Sequence, residues 1–260
     1  MKKLLIFFFL ILFCENNKTK IYSGVFTAEN YLLRSEVGGK ILSIYFEEGD
    51  KVEKGDTIAL IDNREIKFII ESMEYKVKGL KIQLENLNED LRKAEKLFRN
   101  SAISEIEFER VKRSRDLVAT ELKGTIASLE AQKENLKKFF IISPVDGYIS
   151  SKYLKVGEVV IPGTPIFEVQ DPSLIYLNIY VTEEDLPKVS IGDEVKIKVD
   201  AFPEDIFKGK VSFISEKAEF TPKNIQTKED RTLLVYRVKI TVENPEGKIK
   251  SGIYGDAFFY

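Results

Sequence analysis

A chain of 260 residues that is 43% hydrophobic and 32% charged has the composition of a folded protein, with room for one to three domains. Its 40 basic and 42 acidic side chains leave a net charge of −2, so it has no basic surplus with which to attract nucleic acid. There is no histidine, the commonest general base and metal ligand, and the single cysteine, Cys14, excludes an internal disulfide or a paired-cysteine metal site; a protein without catalytic residues, cofactor or metal is expected.

Lys2 and Lys3 precede an unbroken apolar run from Leu4 to Phe13. That run is about half the ~20 residues a helix needs to cross a bilayer, which predicts a signal peptide and a mature protein outside the cytoplasm. Cys14 follows directly, with the polar tether Glu15-Asn16-Asn17-Lys18 behind it. This arrangement resembles a bacterial lipoprotein signal, which implies lipidation of Cys14. Ile11 fits the apolar position three before the cysteine, while Phe13 stands where a small residue is usual. A cysteine lying by chance in an ordinary signal sequence is the alternative.

A repeat follows. Gly39, Gly49 and Gly55 recur as Gly147, Gly157 and Gly163, with spacings of ten and six in both copies. The glycines sit in Val37-Gly38-Gly39-Lys40-Ile41, Gly49-Asp50-Lys51-Val52 and Gly55-Asp56-Thr57-Ile58, and then in Val145-Asp146-Gly147-Tyr148-Ile149, Gly157-Glu158-Val159-Val160 and Gly163-Thr164-Pro165-Ile166. Asp62 and Asp171 close the copies. Each copy reads as short strands broken by glycine turns. Two such halves resemble the lipoyl or biotinyl carrier fold, a flattened β-sandwich. Two unrelated β-meanders with similar turns are the alternative.

Between the halves, Ile66 to Phe140 contains no proline and only Gly79 and Gly124. Ile66, Ile70, Met73, Val77, Leu80, Leu84, Leu87, Leu91, Ala94 and Phe98 alternate at spacings of four and three, a heptad seam. Phe108, Val111, Val118, Leu122, Leu129, Leu136 and Phe139 continue it, with Arg115, Thr125 and Gln132 at intervening seam positions. Arg99-Asn100-Ser101-Ala102 breaks the pattern, and Ser104 with Glu107 predicts a capping box for the second helix. The expectation is an antiparallel coiled-coil hairpin with arms of about 50 Å.

Split lipoyl halves around a helical hairpin make residues 21–260 resemble the periplasmic adaptor, or membrane fusion, family of efflux and type I secretion systems, the HlyD-like adaptors. The resemblance implies an elongated multidomain fold of mixed α and β structure: a lipoyl-like sandwich split by the hairpin, then a β-barrel. Residues 1–20 read as signal peptide and tether, 21–65 as an N-terminal strand and first lipoyl half, 66–140 as hairpin, 141–171 as second half and 172–260 as barrel. Family members that dock on a TolC-like channel carry an Arg-x3-Leu-x6-Ser pattern at the hairpin tip. The matching positions are Lys93, Leu97 and Ser104, with lysine in place of arginine, which loses a bidentate contact. Leu97 as packing and Ser104 as a helix cap form the alternative.

In the barrel, Ile175, Leu177, Ile179 and Val181 alternate, and Thr182-Glu183-Glu184-Asp185-Leu186 predicts a short helix whose N-terminus accounts for the acidic trio. Strands are expected at Glu194–Val199, Gly209–Ile214 and Ile253–Tyr260, and another with Leu234, Tyr236, Val238, Ile240 and Val242 on one face. Ala218–Thr227 resembles a segment of ABC-exporter adaptors, and Arg231-Thr232 keeps part of the pattern of resistance-nodulation-division (RND) adaptors. The resemblance therefore implies an inner-membrane transporter partner, with an ABC type favoured over an RND pump, a TolC-like outer channel, self-association into a ring, and a membrane anchor through the lipid. A biotin or lipoate carrier is disfavoured, because the helical insert occupies the place of the modified lysine. A structural coiled-coil lipoprotein without a transporter is the other reading.

Overall fold

The computed structural model describes residues 20–220, 234–244 and 247–259. The signal peptide, Cys14, Arg231-Thr232, most of the segment Ala218–Thr227 and Tyr260 lie outside the described residues. The described residues form two compact units: residues 30–170 make one, and residues 20–29 together with the described residues from 171 onward make the other. Among the described residues, no helix is long and apolar enough to cross a membrane.

The first unit contains the sandwich and the hairpin. Its strands are β2 (Gly39–Ile44), β3 (Lys51–Val52), β4 (Thr57–Ile61), β5 (Phe140–Ile142), β6 (Gly147–Lys152) and β7 (Val159–Val160). They are flanked by parts of β1 (Lys20–Arg34) and β8 (Pro165–Thr182), the two long strands that cross the unit boundary. One layer runs β5-β4-β2-β7, while β3 pairs with β6 and β6 with β8. Apolar residues alternate inward from both halves, and Ile41, Ile58, Ile61, Ile149, Ile166 and Phe167 are fully buried between the layers.

From this sandwich rise α1 (Arg64–Arg99) and α2 (Glu105–Lys137), about 54 and 50 Å long at 1.5 Å per residue. The heptad seam packs as its spacing requires: Ile66, Ile70, Val77 and Leu80 on α1 meet Val118, Leu122 and Leu129 on α2. Thr125 is buried in the seam, and its hydroxyl donates to the Glu121 carbonyl at 2.9 Å. Arg115 half-buries on the same seam, and its Nε has no hydrogen-bond partner.

The second unit is a closed barrel of six strands, ordered β1-β13-β9-β10-β12-β8 and back to β1. The added strands are β9 (Glu194–Val199), β10 (Phe202–Ile214), β12 (Leu234–Glu243) and β13 (Tyr254–Phe259), with the two-residue β11 (Glu219–Phe220) beside β12. Ile175, Leu177, Ile179 and Val181 all point into the core, as their alternation requires. Two expectations change. The buried residues of β12 are Val235, Val238, Ile240 and Val242, while Leu234 is exposed and Tyr236 half-buried, so strict alternation holds only from Val238 on. Leu186–Lys188 forms one turn of 3-10 helix with no side-chain cap, too short to carry a macrodipole that would hold the acidic trio. Asp185 instead pairs with Lys20 and Lys188, which lowers its carboxyl to about 2.

Candidate functional site

The repeat that was visible as glycine spacing is a reciprocal main-chain exchange. The two halves superpose in hydrogen bonding at an offset of 108 residues. Gly49 N–H donates to the Ile149 carbonyl, and Ile149 N–H donates to the Asp50 carbonyl; likewise Gly157 donates to Ile41, and Ile41 to Glu158, all at 2.8–2.9 Å. In the same way Gly55 N–H donates to the Ser143 carbonyl and Ser143 N–H to the Asp56 carbonyl, as Gly163 donates to Ser35 and Ser35 to Thr164, at 2.7–2.9 Å. Gly49 and Gly157 have φ of 92° and 96°, Gly55 and Gly163 of 99° and 91°, the left-handed turn geometry that excludes most side chains. Gly39 and Gly147 serve otherwise: a Cβ there would lie 2.7 Å from Ile61 Cγ2 and 2.3 Å from the Gln170 carbonyl oxygen. Each half thus completes the other's turns, and the insert between them must leave and return at one point.

The root of the hairpin is tied at that point. Asp62 N–H donates to the Lys40 carbonyl at 2.8 Å, and Ile61 N–H to the Phe139 carbonyl at 2.9 Å. The Asp62 carboxylate accepts the Arg64 guanidinium at 2.6 Å and the Arg64 backbone N–H at 3.2 Å, which lowers its pKa to about 2. The first turn of α1 is therefore served by Asp62 rather than by the N-cap Asn63, whose side chain makes no cap bond.

At the far end, α1 closes in a Schellman motif: Ala102 N–H donates to the Leu97 carbonyl at 2.8 Å and Ser101 N–H to the Phe98 carbonyl at 2.9 Å. Ser101, not glycine, takes the left-handed position, with φ of 56°. Ser104 then caps α2, accepting the Glu107 N–H at 3.2 Å. The expected capping box is only half made, because the Glu107 carboxylate is held by Arg110 instead of returning to the Ser104 N–H. Phe98 and Phe108 stack across the two arms, with centroids 5.0 Å apart and planes 8° from parallel, and this pair seals the last seam layer.

Lys93 and Leu97 stand one turn apart on the outer side of α1, while the adjacent Ala94 and Phe98 fill the seam. Lys93 is exposed, with its ammonium 3.6 Å from Asp90, and Leu97 is 46% exposed. Leu97 is thus about half covered by the hairpin, with the rest of its side chain open to solvent. Ser104 is exposed but already engaged as an acceptor by its cap bond. Ile106 was missed in the sequence: it lies in the first turn of α2 and is 78% exposed. Its signal was available, since an isoleucine two residues before the seam residue Phe108 falls off the heptad.

Family models match in the same order as the two units. The RND membrane fusion protein (MFP) barrel-sandwich hybrid domain matches residues 30–171, and the YknX-like β-barrel domain matches residues 177–254. A UPF0194 membrane protein from the asrC 5′ region of Acidithiobacillus ferridurans is 36% identical over 143 residues, covering 54% of this chain and 42% of that protein. The chain thus spans less than half the length of that relative. A UPF0194 membrane protein of Yersinia enterocolitica is 25% identical over 269 residues, covering 84% of this chain and 82% of that one. In fold, the chain is similar to MacA from Actinobacillus actinomycetemcomitans, with TM-score 0.72 and 22% identity over 93% of this chain and 78% of that one. It is also similar to the membrane fusion protein Spr0693 from Streptococcus pneumoniae R6, with TM-score 0.71 and 17% identity over 92% and 98%. With the barrel-sandwich match covering more than half of its length, and a sandwich split by a hairpin and followed by a barrel, this chain belongs to the membrane fusion protein family.

Proposed function

We propose that this membrane fusion protein is the periplasmic adaptor of a tripartite exporter, coupling an inner-membrane transporter of ABC type to a TolC-like outer-membrane channel. The observation that carries this reading is the tip. A hairpin of about 50 Å, rooted by main-chain bonds in a reciprocal sandwich, ends in a double cap that leaves Leu97 and Ile106 exposed. Exposed apolar side chains on an ordered tip support docking, and Lys93 and Ser104 beside Leu97 complete the surface. The adaptor performs no chemistry itself; transport energy comes from its partner. Lipidation of Cys14 anchors it to a membrane, and copies assemble laterally into a ring. The ABC assignment rests on the resemblance of Ala218–Thr227 to ABC-exporter adaptors. The RND name carried by the matching sandwich family favours a second reading, in which the partner is an RND pump.

Cross-linking intact cells, purifying the tagged chain in detergent and identifying its companions by mass spectrometry tests the proposal. An ABC permease with its ATPase is expected. An RND pump would replace the partner, and repeated recovery of no transporter would overturn the adaptor reading. Cys14→Ser should release the chain from the membrane fraction, and its retention there would contradict the lipid anchor.

A further inference from the structure

Both arms of the hairpin weaken at one height. Gly79 and Gly124, the only glycines of α1 and α2, stand about 22 and 20 Å above the root at 1.5 Å per residue. Short of proline, glycine is the poorest residue for a helix interior. Packing does not demand it here, since a Cβ at either position would meet nothing within 4 Å. Hydroxyl groups repeat the signal in α2. Thr120, Thr125 and Ser128 donate to the carbonyls of Asp116, Glu121 and Gly124 at 2.9, 2.9 and 3.0 Å. All three lie within four residues of Gly124. A hydroxyl bonded in this way shares a carbonyl with the helix ladder, and such residues bend helices. The helix itself is continuous through the stretch, so the feature is a compliant point and not a break.

Bracing between the arms changes at the same level. The two ion pairs that bridge the arms, Glu74–Lys133 and Lys76–Glu121, lie below it or within a turn of it. Among the described residues, every ion pair nearer the tip stays within one arm. Along α1 the seam is buried at Ile66, Ile70, Val77 and Leu80, and only partly so at Leu84, Leu87 and Leu91. Arg115 takes a seam position of α2 in that looser stretch, where its Nε is buried without a hydrogen-bond partner. The root side of the hairpin is thus cross-braced, and the far side is held at its end by the Phe98–Phe108 stack.

We propose that the hairpin flexes at Gly79 and Gly124, the two arms bending together there while the root stays fixed in the sandwich. Joint bending follows from the seam: Leu80 and Leu122 are buried in one cluster beside the glycines, so neither arm yields alone. About 30 Å of hairpin lies beyond this level, so each 10° of bend carries Leu97 and Ile106 sideways by about 5 Å. In the adaptor reading, on which this use rests, the tip adjusts to its channel without disturbing the sandwich. The glycines and hydroxyls then have a purpose that packing of the hairpin does not supply.

Hydrogen–deuterium exchange of the purified full chain tests this without any partner. Amides at 76–83 and 121–128, corrected for intrinsic rates, should exchange about tenfold faster than the helical segments on either side. Gly79→Ala should slow exchange about fivefold around Gly79 and also around Gly124, and Gly124→Ala should act on both arms in the same way. Exchange that rises evenly from root to tip would overturn the proposal. So would a Gly79→Ala variant that slows α1 alone, the behaviour of two independently weak helices. Because the chain is measured by itself, either failure removes the flexure and leaves the adaptor reading standing; failure to recover a transporter does the opposite.

Discussion

In the sandwich, two half-motifs exchange main-chain hydrogen bonds in pairs and enclose fully buried residues from both halves. In the hairpin of the same unit, the seam is one side chain deep, Met73, Leu84, Leu87 and Leu136 are only partly buried, and both outer faces meet solvent. The sandwich is specified by backbone geometry, so its critical positions are glycines, where a side chain has no room or no allowed φ. The hairpin is specified by periodicity, so most of its surface is free to vary. Local stability and function separate along the chain: the sandwich holds, and the hairpin reaches.

Substitutions that respect or violate this division sharpen it. Gly147→Val should cost the most, about 3 kcal/mol, because its Cβ would stand 2.3 Å from the Gln170 carbonyl oxygen, where backbone must move. Urea unfolding of the purified chain would measure the loss; a variant of unchanged midpoint would refute the close approach. Gly49→Val and Gly157→Val meet no clash, so only the left-handed turn opposes them, at about 1–2 kcal/mol each. The two should cost about the same if the repeat is symmetric in energy as in hydrogen bonding, and a large difference would break the equivalence.

A smaller effect belongs to Asp185 in the other unit. Lys20 and then Lys188 hold its carboxyl at about 2, below the ordinary value of 3.8. Its contribution is therefore full above about pH 4 and is lost as pH falls through 2. Asp185→Asn should lower stability by about 1 kcal/mol at pH 7 and by progressively less toward pH 2, read as a converging pair of denaturation curves. Smallest in stability is Leu97→Asp, expected to change it by less than about 1 kcal/mol because the side chain is about half exposed. Export should nevertheless fail in that variant, and activity that survives would remove the tip as the docking surface.

Much of this was legible in the amino-acid order. Glycine spacing located the split sandwich, because tight turns leave few alternatives to glycine, and heptads located the hairpin, because its packing is periodic. What sequence did not disclose depends on partners distant in the chain. Asp185 reads as a helix-terminal acid until Lys20, 165 residues away, is brought to it. Glu107 reads as half of a capping box until Arg110 competes for its carboxylate. In β12, Val235 turns inward where simple alternation assigns Leu234 and Tyr236. At the tip, the motif positions were found by resemblance, but Ile106, outside any motif, needed its exposure to be noticed.

Site-directed photo-cross-linking in intact cells tests the docking role of the tip most directly. A photoreactive residue at Leu97 should capture an outer-membrane channel protein. Capture of no outer-membrane protein from Leu97 would contradict the account.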